Sequence, residues 1–139
     1  MAKIQKSVLA AVLLCLAGFG ACAGAKSPAE KAARGFMDAY YVDADLKKAA
    51  EFSDSLALEK VSAGMNLRDG LTIDDAAHHP KIHYKLEKAT AGSDQAEFLF
   101  DVEFHPEKAE AFHKSSRLIV RLRDGGLWKV TQFSDHDPL

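Results

Sequence analysis

The chain predicts an α+β domain, with N-terminal helices followed by an antiparallel sheet of about four strands. Two observations carry that class. Before Lys81 the apolar residues recur at three- and four-residue spacing, as on one face of a helix; after it they alternate, as on a strand. The clearest alternation runs from Ala96 to Phe104, where Ala96, Phe98, Phe100, Val102 and Phe104 share one face. Aromatic and β-branched residues suit a half-buried strand. A face with three phenylalanines must be covered, and the preceding helices are the available cover.

Residues 1–21 read as an export signal. Lys3 and Lys6 give a positive start, Val8 to Leu16 is an apolar run too short to cross a bilayer as a helix, and small residues follow. Gly20-Ala21-Cys22 resembles a bacterial lipobox, which marks Cys22 for lipidation, although Phe19 departs from the usual leucine. An ordinary signal-peptidase cut at Ala21-Cys22-Ala23 or Ala23-Gly24-Ala25 is the competing reading. Cys15 leaves with the leader, so Cys22 has no partner for an internal disulfide. The expected location is therefore the cell envelope, lipid-anchored or soluble in the periplasm. Losing Lys3 and Lys6 leaves 16 bases against 20 acids, a net charge of −4. That balance argues against nucleic acid, which needs a basic face.

Residues 22–27 form a tether, and residues 28–134 a single domain. Ser27 can cap the first helix, Pro28 suits its first position, and Glu30 can close a capping box. The helix runs to about Tyr41 and buries Ala29, Ala33, Phe36, Met37, Tyr40 and Tyr41, with Asp38 off that stripe. Asp45 can cap a short second helix over Leu46 to Phe52. A third extends from Ser55 to Met65, with Leu56, Val61 and Met65 as candidate anchors, and Arg68-Asp69-Gly70 ends it. Leu71 to Pro80 is a loop with a partial turn at Ile73 to Ala77. Ile82, Tyr84 and Leu86 then face inward on the first strand. A turn at Ala91 to Asp94 leads to the central strand. Leu118, Val120 and Leu122 face inward on the third. Asp124-Gly125-Gly126 turns the chain into the last strand, Leu127 to Phe133. Residues 135–139 read as a frayed tail.

A three-residue turn would direct Trp128 and Val130 inward; a two-residue turn would direct Lys129 and Thr131 inward. The first keeps charge outside. Pairing Glu97 with Arg121, Asp101 with Arg117 and Leu99 with Ile119 gives a register in which opposite charges face each other.

Three local stretches carry a family resemblance: Phe36-Met37-Asp38-Ala39-Tyr40, Asp45-Leu46-Lys47-Lys48-Ala49, and Gly126-Leu127-Trp128-Lys129-Val130. With the element order they resemble the nuclear transport factor two-like family, the cystatin-like cone, in its small exported or lipidated bacterial form. The resemblance implies a curved sheet wrapped round the N-terminal helix, with a pocket between them. That fold hosts isomerases, dehydratases, binding subunits and interaction modules, so fold alone does not select a function.

Phe36, Tyr40, Tyr84, Phe98, Phe100, Phe104 and Trp128 are the candidate pocket-lining residues; the favoured reading of the phenylalanines and Trp128 is that they simply fill the cone. His78, His79 and His83 lack a metal-site spacing, and no metal or cofactor is assigned. Strand parity sends His83, Glu97, Asp101, Glu103, His105 and the arginines of the third strand outward. No general base is then left in the cone. The expectation is a non-catalytic envelope module that binds a small apolar ligand or an envelope protein, with a homodimer open. The alternative is an isomerase- or dehydratase-type enzyme with its site inside the cone.

Overall fold

The computed structural model describes residues 25–69 and 79–138. Cys22 and the turn expected at Ile73 to Ala77 lie outside them. Helix α1, Pro28–Met37, starts where the Ser27 hydroxyl accepts the Glu30 N–H at 3.1 Å. The Glu30 carboxylate points forward to the Arg34 Nε at 2.7 Å. The helix continues through one π turn, Asp38–Val42, closed by the Asp43 N–H on the Asp38 carbonyl at 2.8 Å. Asp45 caps α2, Leu46–Glu51, by accepting the Lys48 N–H at 3.0 Å. Helix α3 spans Ser55–Asp69 and buries Ala57 and Val61. Leu56, an expected anchor, is 60% exposed. At 100° per residue it lies with Leu67 on the opposite flank from Val61 and Met65.

Four antiparallel strands follow in spatial order: β1 (Lys81–Ala91), β2 (Gln95–His105), β3 (Phe112–Arg123) and β4 (Leu127–His136). The inner face of the sheet packs on α1 in one core with Phe36, Phe100, Val102, Leu118, Val120 and Val130 at its centre, each fully buried. The three-residue turn Asp124–Gly126 holds Gly125 and Gly126 at φ of 82° and 78°, a left-handed backbone that favours glycine. Trp128 and Val130 turn inward as that loop length requires.

The register between β2 and β3 is two residues from the expected one. Glu97 faces Ile119, Phe98 faces Leu118, Phe100 faces Ser116, and Gln95 faces Arg121. A two-residue shift keeps every side chain on its face. Long side chains also reach diagonal neighbours, so charge pairing does not discriminate between the two registers. Arg117 still grips Glu97 diagonally through two bonds of 2.8 Å.

Two bulges interrupt the parity. One, between Leu86 and Lys88, leaves Glu87 without a partner. The other, where β3 steps from Ile119 to Val120, leaves Thr131 between the paired residues Val130 and Gln132. An extra residue swaps the faces beyond it, so Phe133 is buried, and Asp135, though exposed, turns its carboxylate to the Tyr41 hydroxyl. The strand runs on to His136, so residues 135 and 136 are strand and not the tail expected at 135–139. The free edge of β4 is capped where it bulges: the Val130 N–H bonds the Phe52 carbonyl at 2.8 Å and the Asp54 N–H bonds the Val130 carbonyl at 2.9 Å. Such cover blunts an edge that would otherwise invite pairing.

Candidate binding site

The seven predicted lining residues all pack in or against one core. Phe36, Phe98 and Phe100 belong to it, and Tyr40, Tyr84, Phe104 and Trp128 flank it half-buried. Their rings touch one another and their neighbours. Tyr40 stacks on Phe36 at 5.3 Å, and Phe133 lies 4.8 and 4.9 Å from the two. Tyr84 meets Phe100 edge-on at 5.5 Å, and Phe104 stacks on Phe112 at 4.8 Å. These spacings are those of packed aromatic pairs. These side chains pack together in the middle of the cone.

Polar chemistry gathers at the rim, in two tyrosine–carboxylate contacts. The Tyr41 hydroxyl donates to Asp135 Oδ1 and lies 3.1 Å from Ser116 Oγ, itself fully buried. The Tyr84 hydroxyl donates to Asp38 Oδ1 at 2.7 Å and approaches the Arg34 carbonyl at 3.5 Å. Burial, then the Asp135 charge, holds the Tyr41 phenol well above its ordinary pKa. Burial and the bond to Asp38 push Tyr84 up to about 12. Burial raises Tyr40 as well. Near neutral pH all three are protonated donors, not bases.

These contacts correct the parity argument. It placed no carboxylate in the cone interior; Asp38 and Asp135 are both exposed, yet each reaches a tyrosine at the rim. Asp38 does lie off the apolar stripe of α1, but the π turn packs beside β1, within reach of the long Tyr84 side chain. Asp135 arrives through the Thr131 bulge. Sequence reasoning missed Asp135, Ser116 and Arg34. The readable signal for Asp135 was the spacing of Trp128, Val130 and Phe133: two, then three, which unbroken alternation cannot bury. His83 does point outward, towards His105, and Lys129 donates to the Glu51 carbonyl.

On the outer face of the sheet, β1, β2, β3 and the end of β4 border a groove of about 340 Å³. Leu99 supplies its apolar floor, and Lys88, Thr90, Glu97, Ser115, Arg117, His136 and Asp137 surround it. The hydrogen bond from Arg117, with its charge, holds the Glu97 carboxyl below the usual range. No helix among the described residues is long and apolar enough to cross a membrane.

No family model and no curated protein matches the chain. Solved structures do. A protein from Thiobacillus denitrificans, named for the association domain of calcium/calmodulin-dependent protein kinase type II, is 17% identical. The match covers 79% of this chain and 94% of that one, with a TM-score of 0.59. A ketosteroid isomerase-like protein from Erwinia carotovora is 12% identical over 79% and 95%, with a TM-score of 0.56. An NTF2-like protein of unknown function from Pseudomonas putida is 15% identical over 79% and 84%, with a TM-score of 0.55. At these identities the likeness is one of shape. The chain has the nuclear transport factor two-like fold, an α+β cone with helices packed in a curved four-stranded antiparallel sheet.

Proposed function

We propose that this domain is a non-catalytic module of the cell envelope, tethered through a lipidated Cys22, that recognises an envelope protein with the outer face of its sheet. The observation that supports the binding reading is the packed core: Phe36, Phe100, Val102, Leu118, Val120 and Val130 are fully buried in one cluster. This favours a protein on the outside over a small apolar ligand on the inside. The outer groove supports the same reading, with an apolar floor and charges of both signs at its rim. Such mixtures suit protein partners. The tether rests on Gly20-Ala21-Cys22, and mass spectrometry of the mature N-terminus tests it. A diacylated Cys22 is expected; a free N-terminus at Gly24 or Lys26 would leave a soluble periplasmic protein.

Recognition is tested by retention of one partner from detergent-solubilised envelope on immobilised protein. Leu99→Asp and Arg117→Glu are expected to abolish retention, while Asp38→Asn and Tyr84→Phe leave it intact. Loss confined to the second pair would move recognition to the rim of the cone. One observation favours the second reading, an isomerase- or dehydratase-type enzyme: the 2.7 Å bond between Tyr84 and Asp38, a donor and a carboxylate side by side. That reading requires turnover of a keto-steroid-like or hydroxy-acid substrate that both Asp38→Asn and Tyr84→Phe abolish.

A further inference from the structure

The path of α1 fixes which end of the domain the N-terminal tether leaves from. Tyr41, in the π turn that follows the helix, bonds Ser116 and Asp135. Phe36 meets Phe133 at 4.8 Å. Gly35 makes room for the Phe52 ring, since a Cβ there would stand 2.5 Å from it, and the Phe52 carbonyl takes the Val130 N–H. Going back along the helix therefore goes back along β4, from Asp135 to Phe133 to Val130. The start of α1 then lies towards the start of β4 and the Asp124–Gly126 turn. Cys22 is three residues before Ala25, so the chain holds it within roughly 11 Å of Ala25.

The same end carries exposed leucines from three elements. Leu127, the first residue of β4, is 59% exposed, and Leu122, opposite Trp128, is 39% exposed. Arg123 pairs with Asp54 at 2.7 Å and donates to Ser55 at 2.9 Å, which brings the start of α3 alongside with Leu56. The charges there are cationic on balance. Arg121 faces Lys129 directly across β3 and β4, a position in which like charges repel. Arg121 bonds the neutral Gln95 side chain at 2.9 Å, and Lys129 bonds the Glu51 carbonyl. Asp54 and Glu30 are already paired, with Arg123 and Arg34. That leaves Glu51, Asp94 and Asp124 against Lys26, Lys31, Arg121 and Lys129. The excess is small, but the chain after residue 21 is acidic as a whole. An anionic surface would attract this end and repel the rest.

We propose that this end of the domain docks on the anionic lipid surface that holds the tether, with Leu56, Leu122 and Leu127 entering the interface and Arg121 and Lys129 meeting lipid phosphates. The inference rests on the tether through Cys22 proposed above, and not on the protein partner of the groove. Apolar side chains bind a lipid interface in proportion to the area they bury, helped by attraction to anionic lipids. Three leucines and a few cations would hold a free protein only weakly. A short tether makes the docking intramolecular, at an effective concentration on the order of millimolar. The groove bordered by Arg117 and His136 lies further from the turn, so docking leaves it open to a partner.

Trp128, the chain's single tryptophan, adjoins Leu127 and reports on the docking. The mature protein, purified in detergent, is reconstituted into phosphatidylcholine vesicles with or without phosphatidylglycerol, each carrying brominated acyl chains. A ring held at the boundary of headgroups and acyl chains, about 5–10 Å deep, meets the bromines, so Trp128 fluorescence should fall roughly twofold in the anionic vesicles. It should fall much less in the neutral ones. Leu127→Asp and Arg121→Glu should each restore most of the signal. Phe112→Asp, 43% exposed at the far end of β3, should leave the quenching unchanged. All three residues are exposed, and circular dichroism checks that each variant folds. Mass spectrometry reads the tether separately. A diacylated protein whose Trp128 escapes quenching, is quenched equally in neutral vesicles, or stays quenched in Leu127→Asp and Arg121→Glu would overturn the docking and leave the tether standing. Relief by Phe112→Asp as large as by Leu127→Asp would overturn it as well. A mature N-terminus without acyl chains would overturn the tether, and this inference with it.

Discussion

The two faces of β2 divide the molecule's work. Its inward residues Ala96, Phe98, Phe100 and Val102 are 0–2% exposed and carry no titratable group. Its outward residues Glu97, Asp101 and Glu103 are all partly in solvent, and each pairs with a basic group on a neighbouring strand or with His105 on β2 itself. One strand thus presents a surface made for packing and a surface made for contact. Burial of a large apolar side chain stabilises by several kcal/mol, whereas exposed ion pairs contribute little. Stability should therefore sit on the inner face and, on the proposed reading, recognition on the outer one.

The largest effect tests the inner face. Phe100 is fully buried and touches Phe98, Tyr84 and the Arg34 guanidinium, which lies 5.9 Å from its ring centre. Phe100→Ala should lower unfolding free energy by about 3–5 kcal/mol, measured by urea denaturation. A loss below about 1 kcal/mol would mean that the cone tolerates a void there, and would restore the pocket reading.

This division was legible on β2 because its alternation is unbroken for nine residues. It was also legible at the caps, Ser27 and Asp45, whose side chains bond the third residue along. It was illegible where an extra residue enters a strand. Glu87 and Thr131 look like ordinary strand residues, and only the spacing of apolar residues on either side betrays them. Leu86 is followed inward by Ala89, and Val130 by Phe133. Parity carried past such a point sends Asp135 to the wrong face. The β2–β3 register failed for a different reason: diagonal reach lets Arg117 satisfy Glu97 in a pairing two residues away from the direct one. The nearness of His83, His105 and His113 on the outer face was hidden because they are distant in sequence. Only the antiparallel pairing makes them neighbours.

The two tyrosine–carboxylate contacts lie between the faces and grade with burial. Tyr41 is 7% exposed and shares its hydroxyl between Asp135 and buried Ser116. Tyr41→Phe would leave Asp135 without that donor and buried Ser116 without that acceptor, and should cost about 1–3 kcal/mol. Tyr84 is half-buried, and its partner Asp38 faces solvent. Tyr84→Phe should cost less, about 0.5–1.5 kcal/mol, because water replaces the lost partner. The same pair predicts an alkaline transition. The folded state raises the Tyr84 pKa from 10.0 to about 12, so folding favours the protonated phenol. Its contribution is complete below pH 10 and is lost as pH rises towards 12. Phenolate absorbance should show this titration shifted back towards 10 in Asp38→Asn. An unshifted titration would leave burial alone as the cause.

The smallest effect tests the outer face, and separates the two kinds of surface most sharply. Arg117 grips Glu97 through two bonds of 2.8 Å, but the two side chains are 49% and 40% exposed. Water and salt screen such a pair, with a Debye length of about 8 Å at physiological ionic strength. The pair does hold the Glu97 carboxyl below its ordinary pKa, the Arg117 hydrogen bond first among the causes. A lowered carboxylate pKa stabilises the fold above the unfolded value, and that help fades as pH falls through the folded one. Arg117→Gln should therefore move the Glu97 titration, read by NMR, back up towards the ordinary value. The urea midpoint at neutral pH should not change measurably. Partner retention, by contrast, should fall, since Arg117 borders the groove. A midpoint lowered as far as by Tyr84→Phe would show that the outer face also holds the fold together, and the division between the faces would fail.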